Sequence, residues 1–98
     1  MTAMSIMREE INRNLISTKE LFESQPEWIE KRDRAVKKLF NGNVNEFNQF
    51  LSKIEPVQEW KDAMDIIDAE FSKRKIRPDG KEATGLTDVL FKRYFPSY

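Results

Sequence analysis

Apolar residues recur every three or four positions along most of this chain, which is the spacing of one face of an α-helix. The first run predicts a helix over about residues 3–23. A break is expected near Gln25, because the proline that follows suits the first turn of a new helix. Ser24 and Glu27 have the spacing of a capping box for that second helix. The apolar stripe of the first run consists of Met4, Met7, Ile11, Leu15, Ile16 and Phe22.

Local stop and start signals divide the middle of the chain. The second helix, over residues 26–40, is expected to end at Asn41-Gly42, because glycine readily takes the left-handed conformation that closes a helix. Asn43, with a glutamate three residues later, predicts the cap of a third helix over 44–54. Pro56 predicts a break or a sharp kink after that helix.

The most regular apolar stripe follows, over residues 57–75, with a heptad-like spacing. A stretch rich in turn residues comes next and predicts a loop. The last helix is then expected to start at Thr87, with Leu86 and Phe91 as a hydrophobic staple, and to end before Pro96. The stripe over 57–75 consists of Val57, Trp60, Met64, Ile67 and Phe71, with Ala63 and Ile66 beside it.

These elements predict one all-α domain over residues 1–98, a small helical bundle of four to five helices with short connections. A chain of 98 residues buries a modest core, so pairing with another copy or another protein is expected to add stability. In the last helix, Leu90, Phe91 and Tyr94 are expected to dock on the bundle. The interior is expected to be rich in aromatic side chains, namely Trp28, Phe40, Phe47, Phe50, Trp60, Phe71 and Phe91.

Composition excludes several chemistries. The chain has no cysteine and no histidine, so disulfides, thiolate metal sites and Ser-His-Asp triads are impossible. The usual general base at neutral pH is also missing. Because no glycine-rich phosphate loop is present either, we expect neither an enzyme nor a bound cofactor. The absence of a long apolar stretch and of a secretion-signal pattern favours a cytoplasmic protein without membrane contact.

Charge is balanced overall and uneven locally. The whole chain has 17 basic and 17 acidic residues. Residues 41–71 contain two Lys/Arg against seven Asp/Glu, whereas the basic C-terminal segment (residues 72–98) contains seven Lys/Arg against three Asp/Glu. This pattern fits ordinary solvated helix faces that complement helix dipoles. It also fits electrostatic association between copies or with another protein.

The main hypothesis is a small protein-interaction module, such as an adaptor, a regulator or an inhibitor, that self-associates into a homo-oligomer. Methionine makes adaptable contacts, and tryptophan, tyrosine and arginine anchor interfaces. Charged residues near the C-terminus would orient the partner. The candidate partner-binding residues are Met4, Met7, Trp28, Lys73, Arg74, Arg77, Lys92, Arg93, Tyr94 and Tyr98.

A first alternative is a nucleic-acid-associated regulator. The basic C-terminal segment combines cations that could neutralise phosphates with aromatics that could stack on bases, in the stretches KRKIRPDGK and FKRYF. The zero net charge of the chain and the lack of a recognisable reader motif argue against this function.

A second alternative is an enzyme that uses carboxylates. Glu27 and Glu30, followed by Glu59 and Asp62, resemble in spacing the E-x-x-E … E-x-x-D arrangement of small all-helical nucleotide pyrophosphohydrolases. The resemblance covers these four residues and implies a magnesium-dependent nucleotide hydrolase. Carboxylates at every third residue continue along the same helix to position 68 and could hold magnesium without histidine.

Overall fold

The computed structural model describes residues 15–96, and within this range the chain forms five α-helices and no strand. The predicted all-α bundle with short connections is therefore confirmed. In chain order the helices are α1 (Thr18–Glu23), α2 (Pro26–Leu39), α3 (Val44–Ile54), α4 (Trp60–Arg74) and α5 (Lys81–Tyr94).

Most of the predicted boundaries follow from local chemistry. Proline occupies the first turn of α2, where its missing N–H costs nothing. Asn41 and Gly42 have positive φ angles of 55° and 78°, and the Gly42 N–H donates to the Val36 carbonyl across 2.8 Å. The Asn43 side chain accepts a hydrogen bond from the Glu46 N–H at 3.1 Å. The turn at Asn41-Gly42 and the cap of α3 are confirmed, and the chain breaks at Pro56.

The predicted continuous helix over 3–23 is wrong in its described part. Residues 15–17 are not helical, and α1 has only six residues. Ser17 caps α1 by accepting from the Glu20 N–H at 3.1 Å. One residue earlier, the Ile16 carbonyl accepts a hydrogen bond from the side chain of Arg93. These two bonds hold the connection in a non-helical form, with Ser17 extended, that helix periodicity alone could not reveal. The part of the predicted helix before residue 15 lies outside the described residues.

The predicted capping box at the start of α2 is also wrong. Gln25 is the N-cap, in an extended conformation and without a side-chain cap bond. The Ser24 hydroxyl instead donates to the Leu21 carbonyl at 2.6 Å. Only two residues separate α1 from α2, so Ser24 serves the end of the first helix rather than the start of the second.

The last helix begins six residues earlier than predicted. Gly80 is its N-cap, and Gly85, which the sequence pattern placed in a loop, lies inside the helix. A Cβ at Gly85 would be in ordinary contact with Lys31, 3.8 Å from its Cδ. Leu86 is fully buried within the helix and does not form the predicted staple with Phe91. Burial of Ala83 and Leu86 outweighs the roughly 1 kcal/mol that glycine costs in a helix.

The helices pack around one hydrophobic core. The most extensive contact joins α2 and α5, α1 lies against both, and α4 contacts α3 and α5. Phe40 lies edge-on to Phe47, with ring centroids 5.2 Å apart. Trp28, Trp60 and Phe91 are only partly buried, at the edge of this core. The fully or nearly fully buried aromatics are Phe22, Phe40, Phe47, Phe50 and Phe71.

Candidate protein-interaction groove

A groove of about 600 Å³ lies between α1, α2 and α3, and we call it the α1–α3 groove. Its floor is apolar, because Phe22, Phe47 and Leu51 line it from below and Val36 lies beside them. At its edge Val44 is 56% exposed. The rings of Phe22 and Phe47 are almost fully buried, at 0% and 1% exposure, so the apolar surface that the groove presents to solvent comes mainly from Val36 and Val44. Exposed aliphatic side chains above a packed apolar layer are typical of an interaction surface.

Local folding explains why Val44 is exposed. The Asn43 cap makes Val44 the first residue of α3, one turn before the buried Phe47. The apolar stripe of α3 therefore extends beyond the edge of the core. Val44 and Phe47 are three residues apart, so helical spacing places both in one apolar stripe, but periodicity does not show where the covering helices end.

Charged residues of both signs form the rim of the groove. Arg32 lies 3.9 Å from a carboxylate oxygen of Glu23 and 3.3 Å from one of Asp33. Lys19 also lines the groove and is exposed. Ion pairs this exposed are weak, on the order of 0–1 kcal/mol. They can therefore exchange for contacts with charges on a bound partner.

One end of the groove is fixed by Glu55. Its Oε1 accepts from the N–H of Thr18 at 3.1 Å and from the hydroxyl of the same residue at 2.7 Å. Its Oε2 accepts from Arg93 at 3.3 Å. These bonds join the start of α1 to the end of α3, so two walls of the groove are held in register.

Arg93, a candidate partner-binding residue, is buried and only 4% exposed. Its Nε donates to the Ile16 carbonyl at 2.6 Å. Its Nη1 donates to the carbonyls of Ile54 and Val57 at 3.2 and 3.3 Å. Its Nη2 donates to the Glu55 carbonyl at 2.9 Å. This guanidinium satisfies carbonyls inside the fold and is not available to a partner, which corrects its assignment to a contact surface.

Arg74, a second candidate, also points inward, with 15% of its side chain exposed. Its Nε donates to Glu70 at 2.6 Å and its Nη2 to Glu46 at 2.7 Å. The guanidinium lies 4.2 Å from the ring centroid of Phe40, within the range of a cation–π contact. Arg74 therefore joins α3 to α4 and is not a free surface cation.

The Glu70–Arg74 pair shows how burial and charge compete. Burial would raise the pKa of Glu70, but the hydrogen bond and charge of Arg74, helped by Lys53 and Lys73, hold that pKa below its ordinary value. Burial would likewise lower the pKa of Arg74, and its bonds to Glu70 and Glu46 raise it instead. Both groups therefore stay ionised at neutral pH.

The remaining candidates do not form one surface. Lys73 and Arg77 are exposed, and Arg77 pairs with Asp79 at 3.1 Å. Trp28 and Lys92 are partly buried and line a small cavity between α2 and α5. Met4, Met7 and Tyr98 lie outside the described residues.

Tyr94 and its neighbours dock the end of α5. The Tyr94 hydroxyl donates to the Val57 carbonyl at 2.9 Å. Burial raises the pKa of this phenol, although the charge of Arg93 opposes the shift. Leu90 is fully buried, and Phe91 lies edge-on to Trp60 with ring centroids 5.3 Å apart. The three docking positions proposed for this helix are thus in contact with the bundle.

The basic C-terminal segment forms a second, polar cavity of about 500 Å³ near the end of α2. Lys38, Lys75 and Arg77 line it together with Arg74. Two of the segment's seven cations, Arg74 and Arg93, are occupied inside the fold. The surface that this segment could offer to phosphates is therefore less basic than its sequence indicates.

The carboxylates are not gathered into a metal site. Among residues 15–96, no group of three acidic side chains is placed to hold a metal ion. Glu27 and Glu30 lie on α2, whereas Glu59 and Asp62 lie at the start of α4. No helix in the same described range is long and apolar enough to cross a bilayer.

The fold and the groove define a small all-helical domain with one apolar-floored groove among its described cavities. The model of the family described as Domain of unknown function (DUF8457) matches residues 28–95, and the chain belongs to this family. Comparisons with curated proteins and with solved structures gave no significant match. The matched region contains most of α2 and all of α3 to α5, so the α1 wall of the groove precedes it.

Proposed function

We propose that this protein is an interaction module that binds a polypeptide segment in the α1–α3 groove, and that a second copy of the chain is one such partner. The observation that carries the proposal is the apolar floor of the groove with Val44 exposed at its edge. Adaptor, regulator and inhibitor are the kinds of protein that act in this way.

The shape of the groove suits a helix. Its walls are helices, its floor is apolar, and its rim is charged, which is the arrangement that accepts the apolar face of an amphipathic helix. Burying a valine side chain contributes roughly 1.5–3 kcal/mol. Because Val44 is 56% exposed, burying the rest of its surface would contribute about half of that amount, as one part of the roughly 4 kcal/mol that a millimolar complex needs.

The rim charges favour a protein over a nucleic acid. Lys19 and Arg32 face Glu23, Asp33 and Glu55 around the groove, so its lining has no excess of positive charge to attract phosphates. A partner with mixed charges is better matched, and this chain itself carries equal numbers of both signs.

Sedimentation equilibrium of the wild type and of Val44→Glu tests the proposal. We expect the wild type to self-associate at low and at high salt, because the contact is mainly apolar. Val44→Glu places a charge at the edge of the apolar floor, and we expect it to weaken association at least about tenfold, which corresponds to about 1.4 kcal/mol.

Gln49→Glu is the matched control. It adds the same charge to α3 at an exposed position that does not line the groove, so association should be unchanged. A wild type that remains monomeric at both salt concentrations would refute self-association. Equal effects of the two substitutions would show that the groove is not the contact surface.

A further inference from the structure

We infer that the α1–α3 groove receives the N-terminal segment (residues 1–14) of a second copy, so that two chains exchange these segments. This inference rests on the proposed function and names the occupant of the same groove. It combines three observations: the apolar pattern of that segment, the charges on the groove rim, and the position from which the described chain begins.

The segment has the side chains that the groove requires. Met4, Met7 and Ile11 are spaced three and four residues apart, so on a helix they would share one face over about 10 Å. The α3 wall of the groove has 11 residues, which is about 16 Å of helix. Two flexible methionines suit the apolar surface of Val36 and Val44, because an unbranched thioether side chain adapts to an irregular surface.

The charges are also complementary. The N-terminal segment carries two arginines and two glutamates, and the groove is lined by two cations and three anions, namely Lys19, Arg32, Glu23, Asp33 and Glu55. The segment is neutral and the groove lining has one more carboxylate than cations, so the two arginines of the segment can pair with carboxylates of the groove, and the register of the segment would determine which charges pair.

The route of the chain favours exchange between copies. The Ile16 carbonyl is held by Arg93, beside the carbonyls of Ile54 and Val57 at the far end of α3. Residues 15–17 are not helical there, Ser17 is extended, and Thr18 enters α1 at the Glu55 end of the groove. The preceding segment therefore starts beyond the end of its own groove and would have to reverse sharply to enter it.

A complementation experiment tests this inference. One full-length variant carries Met4→Asp, Met7→Asp and Ile11→Asp, which removes the apolar face of the segment and leaves the groove intact. The other carries Val44→Glu, which damages the groove and leaves the segment intact. Each variant alone should associate at least about tenfold more weakly than the wild type, when measured by sedimentation equilibrium.

An equimolar mixture of the two variants should associate more tightly than either variant alone. The mixed dimer contains one intact segment and one intact groove, so it should remain weaker than the wild type, which has two such contacts. If the segment variant associates as tightly as the wild type while Val44→Glu does not, the groove is a contact surface and this occupant is wrong. If the mixture associates no better than its components, the exchange is refuted.

A synthetic peptide of residues 1–14 keeps the inference testable if the segment variant fails to fold, which circular dichroism would show. Added to the wild type, the peptide should compete for the groove and shift the dimer towards monomer. A control peptide with the same three aspartates should have no effect. A dimer that resists both peptides equally would overturn the inference.

Discussion

Arg74 and Arg93 are both held inside the fold, but they are satisfied by different kinds of partner. Arg74 donates to two carboxylates, those of Glu70 and Glu46. Arg93 donates mainly to main-chain carbonyls, and only one of its bonds reaches a carboxylate, that of Glu55. The positive charge of Arg74 is therefore neutralised by two carboxylates. The guanidinium of Arg93 instead provides hydrogen-bond donors for main-chain carbonyls.

The difference decides what each residue holds together. The last carbonyls of a helix have no partner within it, and Arg93 donates to Ile54 and Glu55 at the end of α3 as well as to Val57 beyond it. A cation at this position also complements the helix dipole. Arg93 thus fastens α5 to the end of α3 and to the start of the described chain. Arg74 stabilises the pairing of α3 with α4 and packs on the ring of Phe40 at the end of α2.

The largest effect is expected from Arg93→Met, which fills similar volume but donates no hydrogen bond. The carbonyls that Arg93 now satisfies would lose their partner in the interior, so we expect the free energy of unfolding to fall by about 3–5 kcal/mol. The melting temperature should fall by about 4–8 °C for each of these kilocalories. Thermal and urea unfolding followed by circular dichroism measure both.

Lys92→Met is the control for that experiment, because Lys92 is the neighbour of Arg93 on α5 and is only partly buried. We expect it to change stability by no more than about 0.5 kcal/mol. Similar losses for the two variants would contradict the special role of Arg93.

A smaller effect is expected from Arg74→Met. The substitution removes two charge-assisted bonds and a cation–π contact, but Lys53 remains 3.5 Å from Glu70, and Glu46 can turn towards solvent. We expect a loss of about 2–3 kcal/mol in urea unfolding. Arg77→Met, which removes an exposed ion pair, should cost less than about 1 kcal/mol. If Arg74→Met destabilises as much as Arg93→Met, the proposed distinction between carboxylate and backbone partners is wrong.

The smallest effect is expected on the pH dependence of the unfolding free energy. The pKa of Glu70 is lowered in the folded protein from its ordinary value of 4.5, so the folded state binds this proton more weakly than the unfolded state does. Its contribution to stability is present above about pH 4.5 and is lost as pH falls through the lower, folded pKa. Glu70→Gln should therefore reduce the dependence of unfolding free energy on pH below about 5. An unchanged slope would show that other carboxylates govern acid unfolding.

Arg74 and Arg93 also differ in how many of their contacts could be predicted from the sequence. The Glu70–Arg74 pair has the i, i+4 spacing that joins side chains on one helix, so that half of the contact could be predicted. The bond from Arg74 to Glu46 could not, because it depends on how α3 and α4 meet. For Arg93, the bonded carbonyls lie 36 to 77 residues earlier in the chain, and no local pattern marks them.

The α1–α3 groove was likewise predictable only in part. The apolar stripe of α3 and the cap at Asn43 were predictable, and they place Val44 at the start of that helix. The exposure of Val44 was not predictable, because it depends on how far α1 and α2 extend over α3. The short length of α1 was not predictable, because the apolar spacing continues through residues 15–17 while a long-range hydrogen bond from Arg93 to the Ile16 carbonyl helps to hold this connection out of the helix.

The sequence by itself determined the all-helical class, the break before Pro26, the turn at Asn41-Gly42 and the end of α3 near Pro56. These features follow from hydrophobic period, from the fixed φ of proline and from the freedom of glycine, all of which act within a few residues. Tertiary structure alone decided that Arg93 is internal, that α5 includes Gly85, and that an apolar groove stays open beside Val44. Each of these depends on the burial of groups that are distant in sequence, and burial is a property of the packed chain.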